Sequence, residues 1–291
     1  MGFLDRLATG ETLLADGAMG TMLQAAGLER GHAPEEMNLT SPDKVLEVHR
    51  GYVEAGSEII LTNTFGANRY RLEKSGLAEQ VYELSRKAAE IAREAGAAFV
   101  AGSIGPTGEL FAPLGPLTQE GARETFAEQA KGLADGGVDL LVIETMSDLQ
   151  EVEAAVEAAR QSSDLPLICT MTFQQKLYTV MGVSARQAAE TLSSWGVSAM
   201  GANCGTGPQE VGQVLEGMKG AVPDAVLVAK PNAGVPRLVK GRTEFDASPE
   251  LMAGHAQRFE ALGVTIIGAC CGSTPQHIAA MARALGKPGA A

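Results

Sequence analysis

The sequence predicts an α/β fold, a single (β/α)8 barrel of the TIM type, and three observations lead to this prediction. Short apolar runs alternate with helical patterns eight times along the 291 residues, and each pair is typical of a strand followed by a helix. The runs are continuously apolar, which indicates parallel strands that are covered on both faces. Polar residues gather where the runs end, which is the edge of a barrel that carries its chemistry.

The pattern continues without a linker, so we expect one domain over residues 1–286 and a disordered tail over 287–291. An open, doubly wound sheet is the structural alternative. Gly17-Ala-Met-Gly20 follows the first strand with the wrong spacing for the Gly-x-Gly-x-x-Gly fingerprint. A dinucleotide-binding fold is therefore disfavoured.

The elements are expected in a regular order. The eight strands are predicted at 12–15, 58–61, 98–101, 139–143, 166–171, 197–200, 225–229 and 264–267. The helices are predicted at 42–55, 78–95, 119–135, after 148, at 184–195, from 208, at 249–262 and at 275–285. Pro42, Pro249 and Pro275 each follow a serine or threonine, as at the first position of a helix. We expect irregular segments between the first strand and Pro34 and before Ser248.

Composition and charge exclude several classes of protein. The formal net charge is −12 and the chain has no run of Lys or Arg, so neither nucleic acid nor a membrane is an expected partner. No segment reaches the ~20 apolar residues of a membrane helix, and the first residues do not resemble a signal peptide. Four cysteines are too few for a disulfide framework in a chain of this length, so we expect a reducing, cytoplasmic location.

Three of the four cysteines follow predicted strands, in Gly201-Ala-Asn-Cys-Gly205 and Gly268-Ala-Cys-Cys-Gly272. The glycines let the chain leave strand geometry, so that adjacent cysteines can face one ion. Three cysteines with one open position are typical of a catalytic zinc site. The alternatives are small buried apolar side chains or a disulfide between Cys270 and Cys271. Cys169 lies inside a strand and is interpreted as a core residue.

Three thiolates around zinc favour one kind of reaction. They leave the centre with a net negative charge, which makes it a poor activator of water. A fourth sulfur can still bind, and its pKa falls so that it is a thiolate at neutral pH. The cysteine pattern therefore favours alkylation of a substrate thiol over hydrolysis.

These motifs resemble the homocysteine S-methyltransferase family, and within it the homocysteine-binding barrel of cobalamin-dependent methionine synthases. The similarity extends over essentially the whole chain. Further matching stretches are Asp16-Gly-Ala-Met-Gly-Thr21, Leu61-Thr-Asn-Thr-Phe65, Gly105-Pro-Thr107, Ile143-Glu-Thr145 and Pro231-Asn-Ala-Gly234. The resemblance implies a zinc-dependent enzyme that activates homocysteine as a thiolate and methylates it to methionine by direct displacement.

The resemblance and the chemistry of the strand ends together suggest a role for each residue. Zn²⁺ would be bound by Cys204, Cys270 and Cys271. The catalytic carboxylates would be Glu144, which would hold the substrate ammonium, and Asp16, which would also face the amino-acid group. The expected substrate-binding residues are Asp16, Gly17, Ser103, Glu144 and Asn232. Backbone N–H groups near Ser103 would take the carboxylate, and Asn232 would fill the fourth zinc position when substrate is absent.

The resemblance does not identify the methyl donor. The sequence contains no folate domain and no Asp-x-His-x-x-Gly cobalamin motif, so we expect a methylcorrinoid protein acting in trans or a small molecule such as a sulfonium. Thr145 stands where betaine-using relatives have Tyr, which argues against betaine. Four aromatic residues leave an aromatic cage for a sulfonium open: Phe65, Tyr70, Phe111 and Tyr178.

Three alternatives remain open at this stage. The acceptor could be another small thiol in place of homocysteine. The chain could instead be a non-catalytic zinc- or thiol-binding module of a larger methyltransferase assembly. A metal-dependent aldolase is disfavoured because such sites prefer histidine ligands, and none of the four histidines ends a predicted strand.

Overall fold

Eight parallel strands form the centre of the molecule. The structure, a computed structural model, describes residues 1–29, 31–174, 177–239 and 242–287. Its strands are β1 (Leu13–Leu14), β2 (Ile59–Leu61), β3 (Phe99–Ile104), β4 (Leu140–Met146), β5 (Leu167–Met171), β6 (Ala199–Cys204), β7 (Leu227–Pro231), β8 (Arg237–Val239), β9 (Arg242–Glu244) and β10 (Ile266–Ile267). All except β8 and β9 belong to one sheet.

The large sheet closes on itself. Its strands run in the order β1-β10-β7-β6-β5-β4-β3-β2, and neighbouring strands are parallel. A parallel bridge between Ala15 and Ile59 joins the two outer strands, and the N–H of Asp16 donates to the carbonyl of Ile59 at 2.9 Å. The predicted (β/α)8 barrel is therefore confirmed, and the open sheet is excluded because its edges would not meet.

Helices surround the barrel. They are α1 (Phe3–Ala8), α2 (Gly20–Ala25), α3 (Met37–Thr40), α4 (Pro42–Glu54), α5 (Arg69–Glu73), α6 (Val81–Arg93), α7 (Gln119–Asp135), α8 (Leu149–Ser162), α9 (Ala185–Ser194), α10 (Pro208–Ala221), α11 (Pro249–Leu262) and α12 (Pro275–Ala284). Short 3-10 turns occupy Pro34–Glu36 and Ala78–Gln80. The eight predicted helices correspond to α4 and α6 to α12, and the prolines that begin α4, α11 and α12 stand at the predicted position.

The core has two layers, which is why the strands read as unbroken apolar runs. The inner layer fills the barrel with alternate strand residues such as Ala101, Val142 and Val228. The outer layer lies between the strands and the helices and includes the other face of each strand. Helix α1 covers the amino-terminal end of the barrel, where the ring of Phe3 packs edge-on against Phe99 with 5.4 Å between ring centroids.

Several elements were not predicted. The segment before Ser248 was expected to be irregular, but it contains the antiparallel hairpin of β8 and β9. The first irregular segment contains α2, and α1 and α5 were also missed because five or six residues are too few for a helical period to show. Of the tail predicted to be disordered, 287–291, only Lys287 lies within the described residues; its N–H donates to the carbonyl of Ala282.

None of the helices in the described parts of the chain combines the length and the apolar character that crossing a membrane requires.

Candidate active site

A cavity of about 690 Å³ opens at the carboxyl ends of the barrel strands. Seven of the eight residues that the sequence assigned to the site line it: Asp16, Gly17, Ser103, Glu144, Cys204, Cys270 and Cys271. The strand ends therefore meet at one cavity, as the barrel prediction required. Asn232 is not among the lining residues. It is buried, and its amide donates to the carbonyl of Gly205 at 2.9 Å, which supports the turn behind Cys204.

The three cysteines lie together. Their sulfur atoms are all within 4.8 Å of one another, and Sγ of Cys204 is 2.7 Å from Sγ of Cys270. Cys204 has a φ of 54° at the end of β6, a conformation that non-glycine residues rarely adopt. Because this conformation ends the strand geometry of β6, the Cys204 thiol can meet the other two.

Glycine is required at two places around the cysteine pair. Gly272 has a φ of 81°, and a Cβ there would lie 2.2 Å from the ring of Phe245. A Cβ on Gly268 would lie 2.9 Å from the Asp16 carbonyl oxygen and from Cβ of Ala15. Gly272 therefore serves both conformation and close packing, whereas Gly268 serves close packing. The sequence had attributed both glycines to conformation alone.

The cluster fits a soft divalent metal such as zinc. Its donors are three partly buried thiols outside any disulfide. Hydrogen bonds from Cys204 and Cys270 lower the pKa of Cys271, whereas hydrogen bonds with Cys270 and Cys271 raise the pKa of Cys204. Three thiols this close do not all ionise without a cation between them, and thiolate ligands select zinc among the common divalent ions.

A layer of polar side chains lies directly above the apolar interior of the barrel. Side chains two residues apart on a strand point to the same face. Ser103, Glu144 and Lys230 each follow an interior residue, Ala101, Val142 or Val228, by two positions. All three line the cavity and are buried. The interior therefore changes from apolar to polar one layer below the mouth.

Hydrogen bonds orient the carboxylate of Glu144, which belongs to this polar layer. One of its oxygens accepts from the Ser103 hydroxyl at 2.5 Å, and the other faces the Asn203 amide at 3.4 Å. Burial raises the pKa of Glu144 to about 7, although Lys230 opposes the shift. The residue after it, Thr145, has a φ of 62°. Asn203 stabilises that turn by accepting from the Thr145 N–H at 2.9 Å and donating to its hydroxyl at 2.6 Å.

Asp16 lies in a buried ion pair that the sequence did not predict. Its Oδ1 is 2.6 Å from Nζ of Lys230, and its Oδ2 accepts from the Leu61 N–H at 2.7 Å. Burial raises the pKa of Asp16, and the ammonium opposes this. Burial also disfavours the charge of Lys230, but Asp16 and Glu144 raise its pKa. Both Asp16 oxygens accept from donor groups, so we assign an ionised pair.

The outer part of the cavity contains ionisable groups of both signs. Its lining includes Arg71, Lys74, His32 and the buried carboxylate of Glu35. The guanidinium of Arg71 lies 5.2 Å from the centroid of the Phe65 ring, and its Nε donates to the carbonyl of Pro106 at 2.7 Å. Among the four aromatic residues expected to form a cage, Phe65 alone lines the cavity, and the arginine already covers its ring.

A second cavity of about 710 Å³ lies at the opposite end of the barrel. Three of its charged residues form a cluster, since Glu58 lies 3.2 Å from Arg6 and 2.9 Å from Lys287. None of the predicted site residues lines this second cavity, so the cavity with the cysteines is the candidate active site.

Fold and site together define a (β/α)8 barrel with a three-cysteine centre and a buried carboxylate at its mouth. The chain belongs to the homocysteine S-methyltransferase family, whose profile matches residues 13–285. The family resemblance seen in the sequence motifs is thereby confirmed.

Similar proteins agree with this assignment. Methionine synthases of Mycobacterium tuberculosis and Mycobacterium leprae are 35% and 33% identical over 94% of this chain. The chain spans about a quarter of the length of these relatives, because the matched part is 24% of each. The metallated homocysteine methyltransferase MmuM of Escherichia coli superposes with a TM-score of 0.80 at 26% identity, over 95% of this chain and 97% of that one. A methyltransferase from Methanosarcina mazei, with a TM-score of 0.61 and 11% identity over 95% of this chain and 93% of that one, shares the fold.

Proposed function

We propose that this protein methylates homocysteine to methionine in a zinc-dependent reaction at the cysteine cluster. The observation that carries the proposal is that three thiols and the buried carboxylate of Glu144 open onto one cavity at the mouth of the barrel. A thiol-bearing amino acid needs both kinds of group, one for its sulfur and one for its ammonium.

Cys204, Cys270 and Cys271 would hold the zinc ion, which when bound lowers the pKa of a thiol and keeps it as a thiolate. Glu144 would accept hydrogen bonds from the substrate ammonium. The Ser103 hydroxyl holds one of its oxygens at 2.5 Å, so the carboxylate is oriented before substrate binds, and less conformational freedom is lost on binding.

The methyl transfer itself requires room for a second reactant. A new bond forms between the homocysteine sulfur and the methyl carbon while the bond to the donor breaks, and the leaving group keeps the electron pair. Cavities of ~300–1,000 Å³ hold drug-sized ligands, and homocysteine has eight non-hydrogen atoms. A cavity of about 690 Å³ therefore leaves space for a donor above the acceptor.

The residues around the mouth of the cavity favour a methylcorrinoid protein, acting in trans, as the methyl donor. A free sulfonium would gain from an aromatic cage, but Arg71 covers Phe65, and Tyr178 is half exposed outside the cavity. Apolar side chains that are exposed on the segments after β3, β5 and β7 suit a protein donor: Leu110, Leu114, Val180, Met181, Val235 and, in β8, Leu238.

The test combines metal analysis with a donor screen. Protein purified under reductant and reconstituted with zinc would be assayed for zinc content and for methionine formation by mass spectrometry. The donors would be a methylated corrinoid protein, free methylcobalamin and S-methylmethionine. We expect about one zinc per chain and turnover with the corrinoid protein. Turnover with S-methylmethionine alone would overturn the donor assignment, and absence of zinc or of methionine with every donor would overturn the proposed reaction.

A matched cysteine variant controls for thiol loss in general. Cys169 is buried in β5 away from the cluster, so Cys169→Ala should retain zinc. Cys204→Ser should lose it. Equal zinc content in the two variants would show that the cluster does not bind the metal.

A further inference from the structure

We propose that Lys230 binds the α-carboxylate of the amino-acid substrate. The Lys230 side chain is buried yet lines the cavity. An ammonium group has three donors, and within the described residues one acceptor is within hydrogen-bond distance, Oδ1 of Asp16 at 2.6 Å. A buried cation with donors to spare, facing a cavity, is suited to an anionic group of the ligand.

The position of Lys230 matches the position of the carboxylate. In the β6–β7 register, Lys230 pairs with Asn203 and Pro231 pairs with Cys204, so Lys230 lies one residue below the level of the thiols. Burial disfavours its charge, but the neighbouring carboxylates of Asp16 and Glu144 raise the pKa of Lys230. An amino acid whose sulfur lies at the cysteines would therefore have Glu144 for its ammonium and Lys230 for its carboxylate.

Two of the groups that were candidates for binding the amino-acid group already have hydrogen-bond partners within the protein. The Ser103 N–H, which the sequence suggested for the carboxylate, donates to the Thr62 hydroxyl at 3.0 Å. Asp16 was expected to face the amino-acid group, but both of its oxygens accept hydrogen bonds from Lys230 and Leu61. Asp16 therefore holds the lysine in place. This assignment gives Asp16 a positioning role.

A contribution to protein stability does not explain the buried ion pair of Asp16 and Lys230. Removing two charges from water commonly costs more free energy than their attraction recovers. A protein with apolar residues of similar volume in place of the two charges is often at least as stable. An ion pair in the wall of a reactant cavity is instead expected where one of its charges contacts the ligand.

The experiment uses truncated substrates, because this inference rests on the proposed function and must be able to fail separately from it. The compound 3-aminopropane-1-thiol is homocysteine without its carboxylate, and 4-sulfanylbutanoate is homocysteine without its ammonium. Binding of each to the zinc-loaded protein would be measured by calorimetry, which needs no methyl donor. For the wild type we expect homocysteine to bind about 10- to 100-fold more tightly than 3-aminopropane-1-thiol, the range for a hydrogen bond to a charged group.

In Lys230→Met the preference for homocysteine over 3-aminopropane-1-thiol should fall to about one, while the preference over 4-sulfanylbutanoate should remain. Lys230→Arg should restore part of the lost preference. Each comparison is a ratio within one variant, so a partly unfolded sample does not distort it. The single variant Lys230→Met leaves the Asp16 carboxylate without its ion-pair partner. A double variant, Lys230→Met with Asp16→Asn, removes both charges and serves as the companion variant. Asp16→Asn alone, which keeps the lysine ammonium, is the control for the double variant.

The outcomes separate the two proposals. If zinc-loaded wild type does not bind homocysteine, the proposed function fails and this assignment fails with it. If wild type binds homocysteine with the expected preference, but both variants lacking Lys230 keep that preference, the function stands and the carboxylate contact is wrong.

Discussion

Glu144 gives the sharpest test of substrate recognition. Burial raises its pKa to about 7, so the carboxylate is ionised above pH 7 and becomes neutral below it. A neutral acid loses the charge-assisted contact with an ammonium group. The ionised fraction falls about tenfold between pH 8 and pH 6 for a pKa near 7. We therefore expect kcat/KM for homocysteine to fall about tenfold over the same interval, because kcat/KM reports the free enzyme.

Glu144→Gln should remove this dependence and lower kcat/KM at pH 8 by about 10- to 100-fold, the range for a lost charged hydrogen bond of ~1.5–3 kcal/mol. The gap between the two proteins should then narrow, by up to about tenfold, as the pH falls from 8 to 6. The assay is methionine formation against homocysteine concentration at pH 6, 7 and 8, with zinc content measured for each sample.

Glu58→Gln is the matched control, since Glu58 lies at the opposite end of the barrel among Arg6 and Lys287. It should show the wild-type profile. A Glu144→Gln enzyme with the wild-type decline between pH 8 and pH 6 would refute the assignment, because another group would then be responsible for the titration.

Three further predictions follow from the geometry. Cys204→Ser should abolish transfer as well as zinc binding, and Cys169→Ala should preserve both; an active Cys204→Ser enzyme would contradict the cysteine cluster as the reaction centre. Burial lowers the pKa of His49 from 6.5 to about 4, and neither ring nitrogen has a partner among the described residues. The unfolded chain therefore binds the proton first, and the folded state loses stability as the pH falls below 6.5. In urea denaturation, the free energy of unfolding should fall by roughly 2 kcal/mol between pH 7 and pH 5. His49→Leu should not show this fall. Gly272→Ala should reduce zinc content, because its Cβ would meet the Phe245 ring, and the double variant with Phe245→Ala should recover part of it.

The fold was predictable because a closed barrel covers both faces of every strand. Continuous apolar runs such as 139–143 therefore identified the strands without any knowledge of neighbouring elements. The same property hid the direction of each side chain. In β7 every residue is buried, so the sequence does not show whether Lys230 points inward or outward. Only closure of the barrel, which places Val228 in the interior, determines that Lys230 faces the cavity.

The cysteine cluster could be predicted from the sequence, but the ion pair of Asp16 and Lys230 could not. Cys204 ends β6 beside Gly205, and the cysteine pair follows β10 between Gly268 and Gly272. The local sequence therefore already shows an unusual backbone and an unusual side chain together. Asp16 and Lys230 are 214 residues apart, and neither has such a local signal. A lysine in an apolar strand was the available clue, because a charged residue inside a buried run requires a partner.

The charges around the cavity explain why the two carboxylates differ. Three thiolates and two free carboxylates would place five negative charges near one metal site, and such a site would oppose ionisation of a substrate thiol. Lys230 neutralises Asp16 at 2.6 Å, whereas Glu144, the other predicted catalytic carboxylate, has uncharged hydrogen-bond partners. A substrate ammonium would then be drawn to Glu144 in particular. The lysine therefore both receives the carboxylate and determines which acidic residue receives the amine, so that loss of Lys230 should also loosen the orientation of the bound amino acid.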